Sequence, residues 1–249
     1  MNRSKVTFRI FRYRAGDPAS DRYEETTLPV GETTTVLDVL ESLCRKDRTL
    51  MIRHSCHHGS CGTCACRING KESLACLTRV LELGTEVVTV EPLNKLGRLG
   101  DLVVDPADFF REYPSDWRTL RRSEANPDAK PPQELSAYMR LENCIECGAC
   151  VSACPVEDFL GPAVLAGLNR ERLNRKQRDR ARRDPPAADP SSAESPSADP
   201  PDDEKSLLQL AGGQRGVWKC QRALECSRVC PTAVYPARHI QELRDTLKK

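Results

Sequence analysis

Aromatic side chains are scarce: Phe, Trp and Tyr together make up 5% of the 249 residues. No platform on which nucleic-acid bases could stack is evident. A surplus of positive charge is missing as well. Lys and Arg number 38 against 36 Asp and Glu, a net charge of +2, whereas nucleic-acid binding ordinarily shows a marked basic excess. No run of about 18 apolar residues occurs, so the chain is expected to have no membrane span of its own. The opening Met1-Asn2-Arg3-Ser4-Lys5 leads straight into an alternating stretch and lacks the apolar segment of a signal peptide. Cysteine, by contrast, is plentiful. Thirteen cysteines in a chain without secretory features point to metal or redox chemistry rather than to a disulfide scaffold.

Four of them define the most specific motif. Cys144, Cys147, Cys150 and Cys154, with Pro155 after them, read C-x2-C-x2-C-x3-C-P. In the bacterial-ferredoxin run of that form, three thiolates hold one iron–sulfur cluster and the fourth belongs to another. The two-residue gaps wrap a short loop around one face of a cluster. Small residues such as Gly148 let the backbone approach the inorganic sulfurs, and Pro155 stops regular structure from continuing. Paired C-x2-C is also zinc spacing, but four cysteines at this spacing followed by proline favour iron and sulfide.

A second motif lies upstream. Cys56, Cys61 and Cys64 read C-x4-C-x2-C, the plant-type spacing for a [2Fe–2S] cluster. The fourth thiolate is expected at Cys76, folded back by a hairpin turning at Asn69-Gly70. His54, His57 and His58 flank this loop. A two-histidine iron site is disfavoured because four cysteines are already at hand, so the histidines are expected to be second-layer or surface groups. Cys44 and Cys66 are read as packed thiols without a ligand role.

The third motif is Cys220, Cys226, Cys230 and Pro231. Laid over the C-x2-C-x2-C-x3-C-P run, it has Ala223 where the second cysteine would stand. In the crossed arrangement, Cys144, Cys147 and Cys150 take Cys230 and complete a [4Fe–4S] cluster. Cys154 joins Cys220 and Cys226, one thiolate short of four, and the natural product is a [3Fe–4S] cluster. A fourth iron held by water or another ligand is the alternative.

Around the motifs, Val6 to Ile10 alternate as a half-buried strand, and Tyr23 to Val30 can form a second, antiparallel one. Thr33-Thr34-Thr35 can cap a helix carrying Leu37, Leu40, Leu43 and Cys44 at helical spacing. Two strands followed by a helix begin a β-grasp domain. Val87 to Val90 is a further strand. Asp105-Pro106 opens a helix, Gln133 to Leu141 forms another, and a basic helix runs from Ala163 to about Arg180. Its charged end is expected to be a solvated face. Asp184 to Glu204, rich in Pro, Ala, Ser and Asp, reads as a disordered loop, with folded chain resuming at Val217-Trp218. A last amphipathic helix covers His239 to Leu247. Arg228 is the candidate for raising the potential of a nearby cluster through its charge.

With these motifs in this order, the sequence resembles the iron–sulfur subunit of succinate dehydrogenase and fumarate reductase. Asp101 to Asp105 and Gly161-Pro162-Ala163 share the likeness. The resemblance implies an α+β chain: an N-terminal β-grasp plant-type ferredoxin domain at 1–98, followed by an all-α bacterial-ferredoxin-like domain at 99–249 with a disordered loop at 184–205. It implies that Cys56, Cys61, Cys64 and Cys76 hold [2Fe–2S], that Cys144, Cys147, Cys150 and Cys230 hold [4Fe–4S], and that Cys154, Cys220 and Cys226 hold [3Fe–4S]. The implied partners are a FAD-containing flavoprotein subunit and a membrane anchor with quinone. The implied location is peripheral, on the cytoplasmic side of the cell membrane, with no catalytic residue in this chain. The alternative function is a multi-cluster carrier, or the electron-transfer subunit of another flavoprotein. Two places depart from the family. Asp158-Phe159 stands where many respiratory members carry a Trp pair at the quinone pocket, and Gln221 stands where they carry His.

Overall fold

The computed structural model describes residues 4–113, 143–183 and 204–249. The expected helix over 133–141 and residues 184–203 of the expected loop lie outside them. The strands are β1 (Ser4–Arg14), β2 (Asp17–Val30), β3 (Ala65–Ile68), β4 (Lys71–Leu74), β5 (Val87–Glu91), β6 (Arg98–Gly100) and β7 (Val103–Val104). The helices are α1 (Val36–Lys46), α2 (Ala107–Phe110), α3 (Ala149–Ser152), α4 (Pro162–Arg183), α5 (Glu204–Gly212), α6 (Glu225–Arg228) and α7 (Pro236–Leu247). Two compact units form. One comprises Met1–Cys154 with Leu224–Tyr235, the other Pro155–Ala223 with Pro236–Lys249.

The first unit is a sheet in the order β4-β3-β5-β1-β6-β7, with β2 also paired to β1. β1 and β2 form an antiparallel hairpin, while β1 and β5 run parallel, Thr7 opposite Val87 and Ile10 opposite Val90. The alternation seen in the sequence is realised: Val6, Phe8 and Ile10 point into the core, and Phe8 is fully buried. α1 covers that face with Val36, Leu37, Val39 and Leu40. Its N-terminus is closed by a capping box in which Thr35 and Asp38 exchange side-chain and backbone hydrogen bonds. The β3–β4 hairpin turns at Asn69 (φ 48°) and Gly70 (φ 78°). Two left-handed residues in succession are what a type I′ turn requires. At α2, the cap position falls on Pro106, one residue later than expected; Asp105 Oδ1 accepts from Ala107 N at 2.9 Å, and the helix is a single turn.

A charged hub pins the end of β1. Arg12 is buried although charged. Its Nε donates to Asp101 Oδ1 at 3.2 Å, and its Nη atoms reach Asp47 (2.8 Å), Thr49 (2.8 Å) and Glu24. Asp101 also accepts from the backbone N–H groups of Tyr13 (2.8 Å) and Met51 (2.7 Å). Each buried charge is therefore paired and hydrogen-bonded, which is the condition on which such groups are tolerated.

The second unit packs α4 against α7 and α5. Leu165, Leu168, Ile240 and Leu243 fill its core. Two expectations are corrected here. Folded chain resumes at α5, so Glu204 and Lys205 are helical rather than part of a loop, well before Val217-Trp218. Arg172, grouped with the solvated basic face, is buried. It donates to Asn169 Oδ1 at 3.2 and 3.0 Å and to Glu204 at 3.5 Å, while Asn169 Nδ2 meets His239 Nδ1 at 3.1 Å and Glu242 at 2.9 Å. Charge alone could not reveal this, because the partners come from three different helices.

Candidate iron–sulfur sites

The thiols fall into groups. In the first unit, the loop after α1 carries Cys56 and Cys61, and the β3–β4 hairpin brings Cys64 and Cys76 beside each other at its open end. Backbone N–H groups of Ser60 and Cys61 point at Cys56 Sγ at 3.2 and 3.3 Å. Thr63 Oγ1 lies 3.1 Å from Cys61 Sγ. The N–H of His58, with Cys61 and Ser60, holds the Cys56 thiol down to about 6. Burial acts the opposite way on Cys64, pushing it up to about 12 even though the N–H of Cys76 points at it. A thiolate that deep is unfavourable alone and favourable beside a cation. The N–H donors aimed at sulfur are the kind that neutralise the charge of a cluster. Donor type, burial and number therefore fit a thiolate-bound iron site.

A second group of thiols gathers in the same unit. Burial pushes Cys147 up to about 11, with Cys144 and Cys230 as its charged neighbours. Cys150 is raised well above the usual thiol range by burial, with Cys147, Cys144, Cys226 and Cys230 around it. α3 and α6 pack on each other in this unit, which is how Cys230, remote in sequence, joins the three cysteines of the 144–150 run. Ser152, at the end of α3, donates to buried Glu72 Oε1 of β4 at 2.7 Å and accepts from Asn94 N at 2.8 Å. That tie between the second loop and the sheet was missed by sequence reasoning, because a Ser inside the three-residue gap carries no special pattern.

The backbone repeats itself across the two C-terminal motifs. Glu146 (φ 54°) and Gly148 (φ 79°) are left-handed, followed by α3. Arg222 (φ 59°) and Leu224 (φ 64°) are left-handed at the matching places, followed by α6. Left-handed geometry at non-glycine residues is uncommon, and its recurrence at Cys144+2, +4 and Cys220+2, +4 marks the second loop as a copy of the first, with Ala223 in the second cysteine's place. Cys226 is buried and Cys154 half-buried in the first unit, while Cys220 is half-buried in the second. The carbonyl of Cys220 accepts from Arg244 Nη2 at 2.7 Å. Arg244, itself buried, also holds the carbonyl of Val217 at 2.7 and 3.0 Å.

The unassigned thiols behave as the sequence suggested. Cys44 packs beside the core and donates to Leu50 O at 3.4 Å. Cys66 is buried in β3, and burial raises its thiol further. Arg228 is largely exposed and paired with Glu225, so solvent screens its charge. The flanking histidines are at least one-third exposed. His54 and His57 both face Glu41, which sequence spacing could not indicate.

Thiols gathered from separate stretches of chain, N–H donors at sulfur and a β-grasp sheet define a ferredoxin-type iron–sulfur electron-transfer protein. Residues 7–111 match the 2Fe-2S iron-sulfur cluster binding domain family, and residues 139–234 match the 4Fe-4S dicluster domain family. The chain is 33% identical over 252 residues to the fumarate reductase iron-sulfur subunit of Mycobacterium tuberculosis, covering 97% of this chain and 92% of that one. It is 30% identical to the mitochondrial succinate dehydrogenase [ubiquinone] iron-sulfur subunit 1 of Oryza sativa subsp. japonica, covering 98% and 81%. The fold matches a chain of the Mycobacterium smegmatis Sdh1 complex in the apo form, with a TM-score of 0.68 at 24% identity over 99% of this chain and 96% of that one. This chain belongs to the family of iron–sulfur subunits of succinate dehydrogenase and fumarate reductase. Among its described residues, no helix is long and apolar enough to cross a membrane.

Proposed function

We propose that the chain relays electrons between a FAD-containing flavoprotein subunit and a membrane anchor bearing quinone, through [2Fe–2S], [4Fe–4S] and [3Fe–4S] in that order. Cys56, Cys61, Cys64 and Cys76 are the ligands of the first, Cys144, Cys147, Cys150 and Cys230 of the second, and Cys154, Cys220 and Cys226 of the third. The functional domains run over 1–98 and 99–249. The chain sits peripherally on the cytoplasmic side of the membrane, held by its partners. One observation carries the reading: thiols remote in sequence are gathered, Cys64 with Cys76 and Cys150 with Cys144, Cys147, Cys226 and Cys230, and the last motif repeats the loop backbone of the run before it with Ala223 in place of a cysteine.

When bound, the clusters supply one-electron redox chemistry, and the chain supplies everything else. Cys64 is buried, and Cys147 and Cys150 are half-buried. The N–H groups of Ser60 and Cys61 offset negative charge at Cys56. No side chain needs to move a proton or attack a bond.

Anaerobic co-purification with neighbouring subunits, followed by electron paramagnetic resonance, tests this. Three distinct iron centres and a FAD subunit active on succinate or fumarate are expected. Two centres, or a chain isolated without a flavoprotein partner, would favour a free-standing multi-cluster carrier instead.

A further inference from the structure

Among the described residues, one cluster of metal-ligating side chains lies outside the cysteine groups. Glu41 projects from α1, and His54 and His57 come from the loop leading into and past Cys56. Glu41 Oε1 stands 3.1 Å from His54 Nδ1 and 3.2 Å from His57 Nε2. All three ligand atoms lie within 4.8 Å of one another. The two imidazoles meet edge to face, with ring centres 5.3 Å apart.

The distances suit a shared cation. With metal–nitrogen and metal–oxygen bonds of about 2.0–2.2 Å, two ligand atoms on a tetrahedral zinc stand about 3.3 Å apart. Two ring nitrogens bonding one carboxylate oxygen would give similar separations, but the orientation argues against it. Glu41 Oε1 is enclosed from solvent and accepts no hydrogen bond of acceptable geometry. Backbone shape adds to this: His57 is held left-handed, at φ 61°. An uncommon conformation at a bulky residue is kept only where its surroundings fix it, and here it turns the ring to Glu41. The side chains of His54 and His57 are 38% and 48% exposed against 20% for Glu41, so an ion can approach from the side of the two imidazoles.

We propose that Glu41, His54 and His57 form a surface site for a divalent transition ion, zinc above all, which ties α1 to the loop carrying Cys56. Two imidazoles and one carboxylate select such an ion over magnesium, which prefers oxygen ligands. No iron need be displaced, since none of the eleven motif cysteines takes part. The site is separate from the relay reading and stands whichever partners the chain has.

Zinc chloride titrated anaerobically into the cluster-loaded full chain by calorimetry tests it, with the visible cluster absorption followed in parallel. One equivalent is expected to bind with that absorption unchanged, and magnesium chloride should give no heat. Removing even a supporting partner of a ligand weakens metal sites by about 10–100-fold, so Glu41→Gln, His54→Gln and His57→Gln should each weaken zinc at least tenfold. All three positions keep a polar side chain of similar reach, and an unchanged cluster spectrum reports that each variant is folded. Zinc should also raise the bleaching temperature of the parent's first cluster and leave that of His54→Gln/His57→Gln unmoved, because binding to the folded state alone stabilises it. No zinc heat in the parent, equal affinity in the variants, or zinc uptake only with loss of cluster colour would each overturn the site.

Discussion

The backbone of Gly62 runs directly against Cys147: a β-carbon built on Gly62 would lie 2.8 Å from Cys147 Cβ and 2.7 Å from Ile145 O. Gly62 sits at φ +71°. The loop of the first thiol group and the loop of the second thus touch where only glycine fits, for lack of room and for backbone conformation together. Gly62→Ala should cost about 2 kcal/mol or more, combining left-handed strain with overpacking. The expected outcome is earlier thermal bleaching of the first cluster and weaker magnetic coupling between the first two centres, read by electron paramagnetic resonance. Unchanged coupling would mean the contact does not govern their spacing.

The Arg12–Asp101 pair supports a second test. Asp101→Ala removes the carboxylate from buried Arg12 and from the N–H groups of Tyr13 and Met51. Breaking a buried, hydrogen-bonded ion pair from one side costs about 3–5 kcal/mol. A large fall in the melting midpoint of the sheet unit is expected by circular dichroism, and Asp101→Asn, which keeps one acceptor oxygen, should fall less.

The same hub has an acid limit. Thr49, and then Arg12, hold the Asp47 carboxyl down to about 2 from an ordinary 3.8. A lowered folded-state pKa adds stability that is present above the unfolded value and lost as pH falls through the folded one. The contribution should be flat from neutrality to about pH 4 and fade between there and about pH 2. Melting curves over that range should show a shallower acid decline for Asp47→Asn than for the parent.

Ser152→Ala tests the tie between the second cysteine loop and β4. It leaves buried Glu72 without the Ser152 donor at 2.7 Å. An unmet buried partner costs about 1–3 kcal/mol. Faster iron loss from the second thiol group to a chelator is expected, with the first group unaffected. Equal rates would reduce Ser152 to a bystander.

Ala223→Cys addresses the third group. The left-handed pair Arg222 and Leu224 matches Glu146 and Gly148, so a cysteine at 223 occupies the position that Cys147 holds in the other loop. It should let a fourth iron bind, seen as loss of the oxidised [3Fe–4S] resonance. Absence of that resonance in the parent would undo the count of three thiolates.

The cysteine spacings and the β1–β2–α1 opening were legible because both are local: a ligand loop writes its gaps, and strands and helices write their periods. The non-local features were not. Arg172 read as a solvated charge because Glu204 and the His239 that fixes Asn169 come from other helices and meet this turn of α4 only in three dimensions. Nothing local marks Glu41, although two histidines from a separate loop face it. The start of α5 at Glu204 was hidden because the Pro- and Asp-rich composition before it gave no sign of where it would end.

β1 is paired on one side by its own hairpin and on the other by β5, in parallel register some eighty residues later, Thr7 opposite Val87. During synthesis, every thiol of the first group has emerged before that second neighbour exists. Long-range parallel pairing is slow to form, and chains grow at about 5–20 residues per second. At that rate β5 begins to emerge only about 0.5–2 s after Cys76, so Cys56, Cys61, Cys64 and Cys76 are all made while the sheet is unfinished. The sheet that frames the first thiol group is thus completed by a strand that carries none of its cysteines.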